Sequence, residues 1–209
     1  MKQSRNPSFT CIDLFCGAGG LSLGFSNQGF NILIANDFDK YSALTYKAAH
    51  PETTFIEGAI ENTSSKSFLT LSGLKKGELD CLIGGPPCQA FSVYNHQRGF
   101  HDERSGLFRE YLRIVEDLRP KFVIMENVVG ILSAGGGRAV EEIHKRLGSL
   151  GYSVTQATLK AEQYGVPQER RRVFFVGTRI GSRIFEFPEA THGHHGAPLV
   201  TVRDAIYDL

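Results

Sequence analysis

Short apolar runs alternate with stretches of helical spacing along most of the chain, and this alternation predicts strand and helix in turn from residue 10 onward. Residues 10–15 read as a first strand that stops at a glycine cluster. Residues 20–28, with Leu21, Leu23 and Phe25, read as a helix closed by Gly29. A second strand follows at 31–36, then a helix at 39–50 with Asp39 in the N-cap position and Pro51 past its end. A short third strand at 54–57 precedes a polar, Ser-rich stretch at 62–67, with a helix following or overlapping it. A fourth strand at 79–83 closes on Gly84-Gly85-Pro86-Pro87, and a long polar loop runs from Cys88 to about Ser105. Next come a helix at 107–118 stopped before Pro120, a fifth strand at 121–125, and a glycine hinge at Gly135-Gly136-Gly137. A helix at about 138–150 and two strands, 153–159 and 172–177, complete the pattern.

This order predicts an α/β fold, a mostly parallel twisted sheet with helices on both faces, whose ligands bind outside the carboxyl ends of the strands. A chain of 209 residues suits one such domain and is short for two. Residues 1–187 are expected to form it, and the Gly- and His-containing stretch 188–209 to act as an exit linker, with another element starting at 201–209.

Charge changes the picture in one respect. Lys and Arg number 23 against 22 Asp and Glu, a net charge of +1, which is less basic than a free-standing DNA-binding domain. Nucleic-acid contacts are therefore expected from local basic clusters or from a partner. No apolar run approaches the roughly 18 residues of a membrane span, and the start shows no apolar signal segment, which reads as a cytoplasmic protein. Cys11, Cys16, Cys81 and Cys88 form no C-x-x-C pair and have no His at metal-ligand spacing. No metal is expected. Three of the thiols read as small core residues.

Cys88 reads differently. It lies just past the carboxyl end of the fourth strand, behind two prolines that restrain the backbone and hold the thiol in place. A thiolate is the reactive form of such a group. The fifth strand runs into Glu126-Asn127-Val128 and brings a carboxyl to the same sheet edge. A nucleophilic Cys beside a Glu suits attack on an electron-poor heterocycle, although a buried Cys and a turn-capping Glu would look alike singly. At the first strand, Phe15-Cys16-Gly17-Ala18-Gly19-Gly20 leads into a helix N-terminus, and Asp37 ends the second strand about twenty residues on. Glycines there allow close backbone approach to a nucleoside-containing cofactor. The G-x-G-x-x-G spacing is absent, and at this point a nicotinamide cofactor and a glycine turn that only packs helix on sheet remain open alternatives for this loop.

Taken together, the glycine loop, Pro86-Pro87-Cys88-Gln89, Glu126-Asn127-Val128 and Gln168-Glu169-Arg170-Arg171-Arg172, running into Val173 to Gly177, resemble the DNA cytosine-5 methyltransferase family, in family order, from about Thr10 to Arg179. The resemblance implies a Rossmann-like class I methyltransferase fold and S-adenosylmethionine as cofactor, with S-adenosylhomocysteine as product. It assigns Phe15, Gly17, Ala18, Gly19, Gly20, Ala59, Ile60, Pro87 and Leu107 to the cofactor site, Asp37 to the ribose hydroxyls and Phe38 to the adenine face. Cys88 would add to C6 of a flipped cytosine and Glu126 would hydrogen-bond N3 and the exocyclic amine. Arg170 and Arg172 would contact the base and its phosphate surroundings. Gln89, Ser92 and Asn127 would touch the substrate, with residues 90–105 closing over DNA as a loop. The position where relatives often carry an acid toward adenine N6 is Ala59, which leaves backbone groups or Glu57 for that role.

The family's target-recognition region and its last two motifs have no counterpart here, so a second polypeptide or the rest of a longer chain is expected to supply them. The implied activity is DNA cytosine-5 methylation of the bacterial restriction-modification type on double-stranded DNA. The alternatives are a tRNA methyltransferase of the same family, a non-catalytic cofactor-binding subunit needing a partner, and a nicotinamide oxidoreductase, which the Pro-Pro-Cys-Gln segment does not support.

Overall fold

A computed structural model describes residues 9–87, 106–179, 184–194 and 196–208. Seven strands form one sheet: β1 Thr10–Leu14, β2 Asn31–Asp37, β3 Thr54–Glu57, β4 Cys81–Gly84, β5 Phe122–Val128, β6 Ser153–Lys160 and β7 Arg171–Thr178. Among the described residues the helices are α1 Gly20–Asn27, α2 Lys40–Ala49, α3 Ser65–Ser72, α4 Leu107–Leu118, α5 Arg138–Ser149 and the short α6 Val202–Ile206. The strand order is β3-β2-β1-β4-β5-β7-β6. Strands β1 to β5 pair in parallel, and β7 runs antiparallel to both β5 and β6. The sheet is thus mostly parallel, as the alternation of elements predicts, and its order reverses between β1 and β4. That reversal opens a crevice at the carboxyl ends of the strands.

Side-chain alternation along the strands explains the layering. Cys11, Cys81 and Ile83 face α1 through Leu21 and Phe25, and Ala35 meets Tyr46 of α2. On the opposite face Ile12, Leu14, Leu82, Val123 and Met125 pack with Phe68 of α3, the α4 stripe and Ile143 and Leu147 of α5. Helix α4 buries Phe108, Tyr111, Leu112, Val115 and Leu118, one continuous helical stripe. The hydroxyl of Tyr111 donates toward the carbonyls of Leu82 (2.9 Å) and Ile124 (3.1 Å), tying α4 under two adjacent strands.

Several local signals act as their chemistry requires. The Asp39 carboxylate caps α2 by accepting from the Ser42 N–H at 2.7 Å. Gly135, Gly136 and Gly137 all have positive φ, which lets the chain turn sharply into α5. The stretch around 62–67 resolves into α3, capped by Ser64, whose hydroxyl accepts from the Lys66 N–H. The larger boundary shifts are in two strands: β4 begins at Cys81 rather than at Leu79, and β5 continues to Val128, past the expected end at Met125. Its last residues are held by β7, Glu126 opposite Phe174, Asn127 opposite Val173 and Val128 opposite Arg172. The stretch beyond residue 187 is tied to the rest of the chain. Tyr164 donates to the Pro188 carbonyl at 2.9 Å, and the Thr191 and His192 N–H groups reach the Gln163 carbonyl.

Candidate active site

Strand β1 ends where Phe15 takes φ 56°, a left-handed conformation costly for a bulky residue. This bend turns the chain into the glycine loop. The Asp37 carboxylate secures that loop from the neighbouring strand: Oδ2 accepts from the Gly17 N–H at 2.8 Å and Oδ1 from the Asp39 N–H at 2.9 Å. Gly19, with φ 95°, enters a space closed by α2. A Cβ there would lie 2.8 Å from Nε2 of His50 and 2.9 Å from the ring of Tyr46. Its glycine is required by packing and by backbone conformation together.

A cavity of about 440 Å³ opens over these strand ends. Phe15, Asp37, Phe38, Ala59, Ile60, Pro87 and Leu107, all expected at a cofactor site, line it, together with Asn36, Gly58 and Glu61. Phe38 is 68% exposed, an aromatic face open at the rim. Gly17, Ala18 and Gly19 are not on its wall, and Gly20 lines a second cavity instead. Asn36 and Glu61 escaped the sequence reading. Asn36 is a buried amide inside an apolar strand, a signal that could have drawn notice: it donates to the carbonyls of Ile56 (2.9 Å) and Gly58 (3.0 Å), fixing the loop after β3. For Glu61 the only signal was its nearness to Ala59. Glu57 is turned to other work, with Oε2 paired to Lys47 at 3.0 Å, and it does not line the cavity.

The second cavity, about 420 Å³, is lined by Gly20, Leu21, Glu126, Leu159, Ala161, Tyr164, Arg170, Arg172 and Phe174. Because β7 is antiparallel, its first residues lie at the same edge as the last residues of β5. Arg170 and Arg172 therefore meet Glu126, whose Oε1 lies 3.2 Å from the Arg170 guanidinium and 2.9 Å from Nε of Arg172. Oε2 has no hydrogen bond to another described residue. It faces Gly85, where a Cβ would come within 3.2 Å of it. The next residue, Asn127, is buried. Its amide donates to the Pro86 carbonyl at 2.9 Å and its oxygen accepts from the Val128 N–H, which ties the Pro-Pro segment to β5. Gly84 allows β4 to pass the carbonyl of Leu14 and the ring of Tyr111, where a Cβ would sit 2.5 and 2.9 Å away. Cys88, Gln89 and Ser92, with the loop 90–105, lie outside the described residues. The other three thiols, Cys11, Cys16 and Cys81, are free and buried, and burial pushes Cys16 well above the ordinary thiol range.

Beneath the glycine loop lies a buried polar chain. Oδ2 of Asp13 accepts from the Ser22 hydroxyl at 2.7 Å, and Ser22 shares a 2.7 Å hydrogen bond with the Tyr46 hydroxyl. Oδ1 of Asp13 is buried without a partner among the described residues. Burial pushes its carboxyl up to about 7 against the opposing effect of Ser22, and the charge of Asp37 adds to the rise.

The mostly parallel sheet with this order, with a glycine loop after β1 and an acid ending β2, is a class I methyltransferase fold. The chain belongs to the C-5 cytosine-specific DNA methylase family, which matches residues 9–207. It is 42% identical to the type II methyltransferase M.AgeI of Thalassovita gelatinovora over 95% of this chain and 50% of that enzyme. It is 42% identical to M.NgoPII of Neisseria gonorrhoeae over 95% and 56%, so it spans about half the length of these relatives. M.AquIA of Picosynechococcus is 37% identical over 95% of this chain and 88% of its own length. Among solved structures, a prophage-encoded DNA modification methyltransferase of E. coli superposes with a TM-score of 0.81 at 29% identity, covering 97% of this chain and 55% of that one.

Proposed function

We propose that this chain forms the cofactor-binding and catalytic part of a DNA cytosine-5 methyltransferase of the bacterial restriction-modification type. The observation that carries the reading is the Glu126 carboxylate, held on one oxygen by Arg170 and Arg172 and without a partner among the described residues on the other, which faces Gly85 just before the Pro86-Pro87 pair.

The first cavity fits S-adenosylmethionine. Its volume of about 440 Å³ suits a small nucleoside ligand. Asp37 is the acceptor for ribose hydroxyls, Phe38 and Phe15 offer faces to a purine, and Pro87, Leu107, Ala59 and Ile60 wall it. The glycines 17, 19 and 20 with Ala18 shape the loop beneath and present the first N–H groups of α1 to a carboxylate. When bound, the cofactor supplies an electrophilic methyl group on a sulfonium.

The chain's own residues do the rest. The Cys88 thiolate adds to C6 of a cytosine turned out of the stack. The electrons of the C5–C6 double bond move to C5, which would form the new methyl–carbon bond as the methyl–sulfur bond of bound S-adenosylmethionine breaks, the electron pair staying on the sulfur of S-adenosylhomocysteine. Loss of the C5 proton and expulsion of the thiolate then restore the ring and the enzyme. Glu126 accepts a hydrogen bond from the exocyclic amine and shares a proton with N3 as electron density builds on the ring, and Arg170 and Arg172 hold that carboxyl in place while contributing positive charge beside the base. Asn127 holds the Pro86 carbonyl two residues before Cys88, and Gln89 and Ser92 serve the strand being methylated.

Target-sequence reading belongs in this proposal to residues outside these 209, on this or a second polypeptide. The net charge of +1 and the exposed apolar Leu23, Phe122 and Val128 on α1 and β5 support that division. Residues 1–187 are then the catalytic domain and the segment from 188 the passage toward the reading region. The type II names of the relatives favour DNA over RNA as substrate.

The test is transfer of labelled methyl groups to unmethylated mixed-sequence DNA by the chain, alone and with the missing region of a relative added, with Cys88→Ser alongside. Label in 5-methylcytosine that vanishes with Cys88→Ser is expected. Transfer to tRNA and never to DNA, or label retained by Cys88→Ser, overturns the proposal.

A further inference from the structure

We infer that Glu61 is the residue that selects an amino-bearing purine in the first cavity, taking over a task for which position 59 offers only a methyl group. The inference rests on reading that cavity as a nucleoside-cofactor site. The loop after β3 forms one wall, and its backbone acceptors are already engaged. The Gly58 carbonyl accepts from the Asn36 amide at 3.0 Å. The Ala59 carbonyl accepts from the Asn62 N–H at 3.1 Å and the Thr63 hydroxyl at 3.3 Å. The Ile60 carbonyl accepts from the Thr63 N–H at 3.0 Å and from Arg113 at 3.3 Å. A carbonyl oxygen has two lone pairs, so residues 59 and 60 have no acceptor capacity to spare.

Glu61 follows directly on the same wall, and its carboxylate has no hydrogen bond or ion pair with any described residue. The 3-10 turn Ile60–Asn62 holds it there, anchored by the buried Ile60 and by Arg113. The other acid on the wall, Asp37, already accepts one backbone N–H on each oxygen and sits at the glycine-loop side. Glu57 is paired to Lys47 and lies off the wall. Glu61 is therefore the uncommitted anionic acceptor of this cavity among the described residues.

A carboxylate only accepts. Of the purine substituents at position 6, an amine donates to it and a carbonyl repels it. Glu61 thus favours adenine over 6-oxo purines, whose N1–H is the one donor near position 6 that recovers part of the loss. The side chain is exposed, so solvent limits the effect to about tenfold rather than the far larger ratios of fully buried recognition.

Calorimetric titration of S-adenosylhomocysteine and of its 6-oxo counterpart, S-inosylhomocysteine, tests this without any turnover. The unaltered chain is expected to prefer the amine by about tenfold. Glu61→Gln, whose amide both accepts and donates, is expected to bring the ratio close to one while thermal melting stays unchanged. An unaltered preference in Glu61→Gln assigns the reading to Asn36 or the backbone and overturns the inference, as does a wild-type chain that binds both ligands equally. Failure of the wild-type chain to bind either ligand removes the cofactor reading itself, and this inference with it.

Discussion

Replacing Asp13 with Asn should change how stability depends on pH. Asp13 has no exposed surface, one oxygen satisfied by Ser22 and one without a partner among the described residues. The other titratable groups that sense it, Cys11, Cys16, Asp37, Tyr46 and Tyr111, are all acids, so no cation among them offsets a charge there. Its carboxyl is pushed from 3.8 to about 7 by burial. Between these values the folded chain keeps a proton that the unfolded chain has released. Stability therefore falls as pH rises through this window and levels off above about 7. At about 1.4 kcal/mol per pH unit, the full window amounts to about 4 kcal/mol, an upper value because a buried carboxylate draws in water or shifts slightly. The amide introduced by Asp13→Asn is neutral throughout. Urea unfolding followed by circular dichroism, at steps from about pH 5 to about pH 8, should show the variant gaining at least about 1.5 kcal/mol on the parent across that range. A difference between the two that stays constant with pH refutes the reasoning.

Two further outcomes follow from the site. Gly19→Ala places a Cβ at φ 95° against His50 and the buried ring of Tyr46, and should lower stability by about 2–4 kcal/mol, read from the denaturant midpoint; a shift under about 1 kcal/mol shows that α2 yields easily. Glu126→Gln breaks the ion pairs to Arg170 and Arg172 and should slow methyl transfer by about a hundredfold or more, with cofactor affinity within about twofold; equal losses in both would make Glu126 a structural residue.

Much of the fold is legible in the residues alone. Helix α4 matches its predicted span because an apolar stripe and a following proline mark it, and α2 starts where Asp39 can cap it. The glycine loop and Asp37 are readable from strand ends, whereas Phe38, Ala59, Ile60, Pro87 and Leu107 are assigned by the family resemblance; all but the glycines line one cavity with Phe15, since parallel strands deliver their carboxyl ends to one edge. Such local signals depend on near neighbours in the chain, which is why they can be read without the fold.

The direction and pairing of a strand depend on partners far away in the chain, and they emerge only on folding. Apolar alternation in 172–177 marks a strand but carries no polarity. The antiparallel placement of β7 is what extends β5 to Val128 and brings Arg170 and Arg172 onto Glu126. In the same way Glu57 and Glu61 are equivalent as letters. Lys47 from α2 draws one away, while the carbonyls around the other are filled by Asn36, Thr63 and Arg113. Asp13 reads as one more strand residue until packing closes over it and raises its carboxyl toward neutrality. Residue order alone established which chemical groups stand at the ends of which elements. Long-range pairing and burial decided which of those groups meet, because each depends on atoms the chain brings together only once it has folded.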